Sequence, residues 1–374
     1  MSQARLGFEV LARCPRTGAR AGLLHTAHGP VPTPTFLPVG TQGSVKSLTP
    51  RDLRAAGATC LLANTYHLAL RPGAALIERL GGLHAFMGWD GAVLTDSGGF
   101  QVLSLADRRT LDDEGVCFRS HLDGRTLRLT PERVVALQEQ LGSDIAMVLD
   151  ECPPYPCDRP AAEAAVARTQ RWAERSLRAR TRPDQQLFAI VQGSVYPGLR
   201  TASARWLAAL PFDGYALGGV SVGEPRADGR RAVAAALAAL PAEKPRYLMG
   251  VGTPEELLTY VALGVDLFDC VLPTRTARTG ALLTRAGRLN LLRAEYRTRA
   301  EPPAPGCACP TCAQHSAAYL HHLFRAGEEL AFRLASVHNI WFLTDLMRQA
   351  RAAILAGALP ALLERLGLAE PAGR

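Results

Sequence analysis

The sequence predicts an α/β fold: a (β/α)8 TIM barrel with an N-terminal β element and a C-terminal zinc-binding subdomain. The prediction rests on eight short apolar runs between helical patterns, polar residues directly after each run, and a late Cys-x-Cys-x-x-Cys motif. Short apolar runs between helices are typical of buried parallel strands, and eight strand–helix repeats favour a closed barrel. The runs are Thr35–Val39, Thr59–Ala63, Ala92–Thr95, Ile145–Leu149, Leu187–Val191, Tyr215–Leu217, Arg246–Met249 and Val265–Phe268.

Several helices are expected to begin at a Thr–Pro pair. Thr49-Pro50, Thr130-Pro131 and Thr253-Pro254 each place threonine at the N-cap and proline at the first helical position. Glu256 stands at the third helical position after Thr253, so a reciprocal capping box is expected there.

The chain is long enough to bury a large core, and we interpret residues 1–374 as a single catalytic domain. The stretch from about residue 107 to 130 is too long for a simple loop and departs from a plain barrel. The predicted parts are an N-terminal β element, the barrel, a zinc-binding insertion and a C-terminal helix, at residues 1–30, 31–300, 301–345 and 346–374.

The charge of the chain and its local clustering suggest an anionic partner. The formal net charge is +8, and the segment from Arg275 to Arg299 holds seven arginines with Glu295 as its one acidic residue. Such a run favours nucleic-acid binding, with a solvated basic surface as the alternative.

The composition also bears on the cellular compartment. Residues 1–14 lack the apolar stretch of a secretory signal, and no window reaches the roughly 18 apolar residues of a membrane span. Nine cysteines in so long a chain, three of them in one motif, favour metal binding in a reducing compartment over disulfides. We therefore expect a cytoplasmic protein with no membrane partner.

Cys307, Cys309, Cys312 and His338 are the candidate metal ligands. Three thiolates and one imidazole complete the tetrahedral shell of one structural zinc ion and leave no open position for catalysis. Iron would also tolerate sulfur-rich ligation, and free thiols beside a core histidine are the plain structural alternative. Rival ligands, less favoured because they lie on a helix directly after the motif, are His315, His321 and His322.

Polar residues or glycines follow the predicted strands. In a barrel they converge on the C-terminal face, where active sites of this fold lie. One aspartate at a strand end often only caps the next helix, but three carboxylates with an amide on one rim indicate a polar pocket. The residues after the runs are Gly40-Thr41, Asn64–His67, Asp96-Ser97, Asp150–Cys152, Gln192-Gly193, Gly218-Gly219, Gly250 and Asp269.

These residue types suit group exchange at an anomeric carbon. One carboxylate can attack the carbon and trap it covalently while a second acid or base handles the proton of the leaving group. Asp150 can instead accept hydrogen bonds from a bound heterocycle, with Gln192 supplying an amide, and Phe100 and Met249 are suitable walls for a ring. A cysteine nucleophile is disfavoured because no histidine is evident to activate one.

A series of motifs carries a family resemblance. They are Gly29–Phe36, Pro38–Thr41, Asn64–Leu68, Leu70–Gly73, Thr95–Gln101, Asp150–Cys152, Val191–Gly193, Met249–Pro254, Phe268–Arg275, Cys307–Cys312 and His338-Asn339. In these motifs and in their order along the chain, the sequence resembles the bacterial type of the tRNA-guanine transglycosylase family over about residues 5–355.

The resemblance implies a zinc-bearing TIM barrel that exchanges a guanine in tRNA for a modified base. Bacterial members replace the guanine at wobble position 34 of GUN-anticodon tRNAs with preQ1 (7-aminomethyl-7-deazaguanine), a step in queuosine biosynthesis. By motif, Asp269 matches the nucleophile that binds the ribose covalently, and Asp96 matches the general acid/base. The implied enzyme is a tRNA-guanosine(34) preQ1 transglycosylase, a pentosyltransferase that contacts the anticodon loop and forms a homodimer.

The resemblance, together with the residue chemistry above, also gives binding positions. Residues expected to line the base pocket are Asp96, Ser97, Gly98, Gly99, Phe100, Asp150, Gln192, Gly219, Val220 and Met249. Residues expected to contact RNA are Gly250, Val251, Gly252, Thr253, Pro254, Glu255, Glu256, Thr274, Arg275, Thr276, Ala277 and Arg278.

A few positions depart from the family pattern. Thr276 and Thr279 stand where many members have asparagine, Ser194 where glycine is common, and Ser221 where alanine is frequent. Val222 stands where the queuine-using eukaryotic enzymes typically have glycine. Its branched side chain leaves less room for the cyclopentene-diol of queuine, so preQ1 is the expected base.

Three other functions fit the sequence less well. A zinc-dependent nucleobase deaminase needs an open metal position and a His-x-Glu element, which the sequence lacks. A non-catalytic RNA-binding subunit is disfavoured because both Asp96 and Asp269 are retained. An archaeal-type enzyme acting elsewhere in tRNA carries added C-terminal domains, whereas this sequence ends soon after its zinc segment.

Overall fold

A computed structural model describes residues 6–99, 109–120 and 124–368, and its centre is a parallel barrel. Each of the eight predicted runs forms a barrel strand, with ends shifted by up to two residues. The barrel strands are β4 (Thr35–Pro38), β5 (Cys60–Asn64), β6 (Ala92–Asp96), β10 (Ile145–Met147), β11 (Gln186–Val191), β12 (Gly214–Leu217), β13 (Arg246–Leu248) and β14 (Leu267–Cys270).

Hydrogen bonding runs around the barrel in the order β4, β14, β13, β12, β11, β10, β6, β5. A parallel bridge between Val39 and Leu62 joins the two ends of this order, and Gly40 N donates to Leu62 O at 2.7 Å. Every residue of β5 and β11 is buried, as expected for parallel strands covered by helices on one side and packed side chains on the other.

Helices surround the barrel and begin as the sequence predicts. Thr49, Thr130 and Thr253 are N-caps with proline next. The expected capping box at Thr253 is wrong in one respect: the Glu256 carboxylate accepts from the threonine hydroxyl at 2.6 Å, and the described reciprocal box is instead at Thr49 with Asp52. The helices between the first and last barrel strands are α1 (Pro50–Ala55), α2 (Thr65–Leu70), α3 (Ala74–Arg79), α4 (Gly82–Met87), α5 (Pro131–Leu141), α6 (Arg159–Ala179), α7 (Pro197–Ala208), α8 (Arg226–Leu237) and α9 (Pro254–Leu263).

Two three-stranded antiparallel sheets are added to the barrel. The N-terminal one contains β1 (Gly7–Arg13), β2 (Arg20–Thr26) and β3 (Gly29–Thr33), and the inserted one contains β7 (Arg109–Asp112), β8 (Gly115–Arg119) and β9 (Thr126–Leu129). The N-terminal sheet is fixed to the barrel by buried Arg20, whose guanidinium forms two hydrogen bonds with the Asp266 carboxylate, at 2.9 and 2.5 Å.

The C-terminal region contains the cysteine motif. Its helix α13 runs without interruption for 27 residues and crosses position 345, the predicted border between the zinc-binding insertion and the C-terminal helix. The division of the chain into the parts listed above stays a prediction. Within the described part of the chain, no helix is long and apolar enough to cross a membrane. The remaining elements are α10 (Leu272–Ala277), β15 (Ala281–Thr284), β16 (Gly287–Asn290), a 3-10 turn (Ala294–Tyr296), α11 (Pro310–Gln314), α12 (Ala317–Ala326), α13 (Glu329–Leu355) and α14 (Leu359–Arg365).

Candidate active site and metal centre

Four of the predicted site residues lie on one rim of the barrel. Asp96 ends β6, Asp269 lies in β14, Gln192 directly follows β11, and Asp150 comes three residues after β10. Because the strands are parallel, their carboxyl ends meet at the same face. The rim therefore brings three carboxylates and an amide together around the mouth of the barrel.

Asp96 is oriented by the strand next to it. Asn64 Nδ2 donates to Asp96 Oδ2, and Thr65 N donates to Oδ1 at 3.1 Å. The Thr65 hydroxyl also donates to the Asp96 carbonyl. Burial, with a contribution from the charge of Asp269, raises the pKa of Asp96 to about 7 despite these hydrogen bonds. Near neutral pH this carboxyl group is suited to both giving and taking a proton.

Asp269 is held through one oxygen. The Tyr247 hydroxyl donates to Asp269 Oδ1 at 2.6 Å, and Gly250 N donates to the same atom at 2.9 Å. Burial raises the pKa of Asp269, while both donors act in the opposite direction. Neither of these bonds engages Oδ2, so the second oxygen is the one that can approach a ligand. Tyr247 was not predicted because it reads as an ordinary apolar strand residue.

Asp150 forms the third polar centre. Gln192 Nε2 donates to Asp150 Oδ2 at 2.7 Å. Burial, opposed by hydrogen bonds from Gln192 and Ser97, raises the pKa of Asp150 to about 6. A Cβ atom on Gly99 would lie 1.8 Å from Asp150 Oδ1, which explains the glycine at this position. Gln192 Oε1 is buried without a hydrogen-bond partner among the described residues, so it remains an acceptor for a ligand.

The remaining predicted pocket residues are placed as follows. Val220 is buried and Met249 is half-buried on the loops after β12 and β13. Gly219 has a φ of +61°, and a Cβ there would lie 2.5 Å from Gln192 Oε1. Gly98 N donates to Asp96. Phe100 lies outside the described residues.

The two segments expected to contact RNA flank Asp269. Along Gly250–Glu256, Gly250 and Glu255 are exposed, whereas Val251 and Gly252 are buried. Along Thr274–Arg278, the side chains of Thr274, Thr276 and Ala277 are buried, Arg278 is half-buried and Arg275 is exposed. The arginines are therefore the side chains of helix α10 that face solvent beside the rim.

The Cys3His cluster has the geometry of a tetrahedral metal centre. Sγ of Cys307, Cys309 and Cys312 lies 3.7, 3.3 and 3.4 Å from His338 Nδ1. Zinc bonds of about 2.3 Å to sulfur and about 2.0 Å to nitrogen at a tetrahedral angle separate the two ligand atoms by about 3.6 Å. The donor set and the spacing therefore fit one metal ion, and Cys309, Cys312 and His338 are buried.

The metal cluster is tied to the segment after Asp269. His338 Nε2 bonds Leu283 O at 2.8 Å, which leaves Nδ1 free to bind a metal. Asn339 Oδ1 accepts from Leu283 N at 2.8 Å, and Asn339 Nδ2 donates to the carbonyls of Pro273 and Ala281, both at 2.9 Å. Two consecutive residues of α13 thus hold β15 and α10 in place.

The rival candidate ligands His315, His321 and His322 do not join the Cys3His cluster. His321 bonds the Leu291 carbonyl at 2.7 Å, and His315 stacks on Tyr319. Within the described part of the chain, neither belongs to a group of metal-ligating side chains, and nor does His322.

A second cluster of titratable groups lies at the opposite end of the barrel. His28 Nδ1 bonds Asp144 Oδ1 at 2.8 Å, and His84 Nε2 bonds Oδ2 at 3.1 Å. The two imidazole rings stack at 3.4 Å with an angle of 13° between their planes. Each ring bonds a different oxygen of the Asp144 carboxylate, so the three side chains form a hydrogen-bonded clamp. The clamp fixes the β2–β3 turn to the start of β10.

Comparisons with known proteins give a consistent result. The family model described as "Queuine tRNA-ribosyltransferase" matches residues 14–370. A relative of that name from Dehalococcoides mccartyi is 56% identical over 91% of this chain and 87% of its own length. A second, from Thermus thermophilus, is 55% identical over 94% and 90% of the two chains. A third, from Bacillus licheniformis, is 50% identical over 99% of both.

Proposed function

The chain belongs to the queuine tRNA-ribosyltransferase family, and on that premise we propose that it replaces guanine at the wobble position of GUN-anticodon tRNAs with preQ1. It is an enzyme of the tRNA-guanine transglycosylase type. The observation that carries the proposal is the pair Asp96 and Asp269 on one rim, close enough for the charge of Asp269 to act on Asp96 and in different hydrogen-bonding environments, with the Asp150–Gln192 pair on the same rim.

In the first step, Asp269 Oδ2 attacks C1′ of the ribose of the target nucleotide. The bond between C1′ and the base nitrogen breaks, its electron pair leaves with guanine, and an ester bond forms between the ribose and Asp269. Tyr247 and Gly250 hold the other carboxylate oxygen and so aim Oδ2. Asp96, with its pKa near 7, supplies the proton that the departing base requires.

In the second step, the incoming base attacks C1′ and releases Asp269. The proton that preQ1 loses from its attacking nitrogen passes to Asp96, which restores the starting state. Two displacements retain the configuration at C1′, and one glycosidic bond replaces another, so no ATP is consumed. The anticodon loop is already single-stranded, which lowers the cost of moving a base out of its stack.

Base recognition is assigned to Asp150 and Gln192. An ionised carboxylate can accept from the ring N–H and the amino group of guanine or preQ1. The unpartnered Gln192 Oε1 offers one more acceptor to the pocket. Both bases present the same donor edge, which explains how one pocket can hold them in turn.

The RNA itself is assigned to the exposed surface around Gly250–Glu256 and helix α10. Arg275 is exposed and carries no ion pair within the described part of the chain, so it is available for phosphate. We assign zinc to Cys307, Cys309, Cys312 and His338. Bound there, it supplies structural cross-linking and no catalysis, because all four positions are filled.

We further propose that the enzyme works in the cytoplasm as a homodimer and uses preQ1 in preference to queuine. The base preference follows from Val222, whose backbone N–H is fixed by Glu224 Oε2 at 2.9 Å. The loop that carries this branched side chain is therefore held in place, which limits the room for a larger substituent.

The decisive experiment is incorporation of labelled guanine into a GUN-anticodon tRNA transcript, with preQ1 as competitor. Wild type is compared with Asp269→Asn, Asp96→Asn and, as a control, the exposed Asp90→Asn. We expect exchange by wild type and by the control, and a tRNA–protein adduct on denaturing gels that Asp269→Asn fails to form. Absence of exchange by a folded, metal-loaded wild type would reject the proposal.

A further inference from the structure

Arg200 is a buried cation with no acidic partner within the described ranges. It lies in α7 and its side chain is fully buried. Its guanidinium donates to four backbone carbonyls, Ser194 O at 2.8 Å, Val191 O at 2.9 Å, Gly218 O at 2.6 Å and Gly219 O at 3.0 Å. Val191 is the last residue of β11, and the other three belong to the loops that follow β11 and β12, which carry Gln192 and Gly219.

Such burial needs a specific reason. A cation removed from water without a carboxylate is costly, and burial lowers the pKa of Arg200 to about 10, a value that still leaves it charged at neutral pH. Four of the five N–H groups of the guanidinium are used, and its flat fork reaches two loops at once. A lysine or an amide could not make this set of contacts.

The held carbonyls determine where the neighbouring N–H groups point. In a trans peptide unit the C=O and the following N–H point in opposite directions, and none of the peptide bonds at these positions is cis. Fixing Gly218 O and Gly219 O toward Arg200 therefore directs the N–H groups of Gly219 and Val220 away from it. Neither N–H has an acceptor among the residues described.

We propose that Arg200 is a positioning residue that locks the N–H groups of Gly219 and Val220 as donors for an oxo group of the bound base. It thereby selects a purine with an oxo substituent over one with an amino substituent at that edge. Both loops adjoin the Asp150–Gln192 pair, since Gly218 and Gly219 approach the Gln192 amide closely. This inference rests on the proposed function, because it concerns the base pocket assigned above.

The role differs from plain structural support. A loose peptide unit can rotate so that its carbonyl faces the ligand, and then an amino group would be accepted. A locked unit leaves an amino group opposite a donor, and an unpaired buried group of this kind weakens binding by roughly 5- to 150-fold. Discrimination between two ligands of the same shape is therefore the property that Arg200 controls.

The test compares equilibrium binding of 7-deazaguanine with that of 2,6-diamino-7-deazapurine, which has nearly the same shape but an amino group in place of the oxo group and an unprotonated ring nitrogen in place of the ring N–H. The variants are Arg200→Met, Arg200→Lys and, as a control, Arg205→Met, an exposed arginine on the same helix. We expect wild type and Arg205→Met to prefer the oxo ligand by at least tenfold. Arg200→Met should lower that ratio by at least threefold, the remaining preference being due to Asp150 and the ring N–H, and Arg200→Lys should lower it less.

Two results would overturn the inference. One is an unchanged ratio in a folded Arg200→Met protein, and the other is an equal loss of affinity for both ligands, which would mean structural support alone. If neither Arg200 variant folds, amide hydrogen exchange of wild type decides. If the oxo ligand protects the amides of Gly219 and Val220 from exchange and the amino ligand does not, the proposal is supported. Equal protection of these amides by both ligands contradicts it. This test measures binding of the free bases and does not require base exchange in tRNA. A failure of the inference can therefore be distinguished from a failure of the proposed function.

Discussion

Tyr247 and Asp269 are joined by a 2.6 Å hydrogen bond across neighbouring strands β13 and β14. The phenol is buried, and its pKa is raised well above the usual value, first by burial and then by the adjacent carboxylate. It therefore stays a donor throughout the working pH range. Like Gly250 N, it donates to Oδ1 and not to Oδ2, so the two oxygens of Asp269 are inequivalent.

Removal of this hydroxyl should slow the chemical step. A hydrogen bond to a charged group contributes about 1.5–3 kcal/mol, so Tyr247→Phe should lower kcat by roughly 10- to 150-fold with little change in the KM for tRNA. Single-turnover formation of the tRNA–protein adduct measures this directly. Tyr215→Phe, a buried tyrosine on strand β12, is the matched control. A Tyr247→Phe protein with wild-type adduct kinetics would remove Tyr247 from the mechanism.

Base affinity should depend on pH through Asp150. Burial raises its pKa to about 6, and only the ionised form can accept from two donors of guanine. Affinity should therefore be constant above about pH 7 and fall with decreasing pH below about 6. Equilibrium binding of guanine is the appropriate measurement, because turnover also reflects Asp96. Asp150→Asn should bind weakly with a flat profile, and an unchanged slope in that variant would assign the titration to another group.

Loss of the metal should weaken RNA binding more than base binding. Cys309→Ser removes a ligand, and the freed α13 no longer fixes Leu283 through His338 and Asn339. We expect loss of the bound metal, a lower Tm, and at least a tenfold higher Kd for tRNA with a nearly unchanged Kd for guanine. Metal analysis, calorimetry and filter binding test this. Cys117→Ser, at a half-buried cysteine outside the cluster, is the control, and equal effects on both ligands would argue against selective coupling.

The clamp around Asp144 should contribute to stability above about pH 4. Burial opposes ionisation of Asp144, but hydrogen bonds from His84, Val93 and His28 outweigh it and lower its pKa below the ordinary 3.8. A lowered folded pKa means that the contribution is present above the unfolded value and is lost as the pH falls through the folded one. The difference in unfolding free energy between wild type and Asp144→Asn should therefore shrink below about pH 4. A difference that is independent of pH would refute this.

The base preference should respond to residue 222. Val222→Gly removes the branched side chain, so turnover of queuine should rise relative to preQ1 by about tenfold or more, while guanine exchange changes little. Competition of the two bases for the same tRNA gives the ratio. Equal use of queuine and preQ1 by the unmodified protein would show that Val222 does not limit the pocket.

The sequence predicts the barrel well because a buried parallel strand leaves a local signal. Runs such as Leu187–Val191 are apolar on both faces, and the polar residue that ends each one marks the rim. The Cys3His cluster was also predictable, since three of its four residues lie in one short motif and their chemistry is specific.

Other features carry no local signal. Arg200 is one of two arginines on helix α7, and nothing nearby in sequence distinguishes it from exposed Arg205. The clamp joins His28, His84 and Asp144, which are separated by 56 and 60 positions. Such contacts exist only after the barrel closes, so they depend on long-range topology rather than on pattern.

The pairing of β14 with β4 has a consequence for synthesis on the ribosome. Strand β4 is made early, but its partner begins only at Leu267, so the nascent chain exposes an unpaired strand edge while more than two hundred further residues are added. Exposed edges of this kind invite pairing with other chains. The strand that removes the hazard is also the one that contains Asp269. A prematurely terminated product would therefore be both inactive and prone to aggregate.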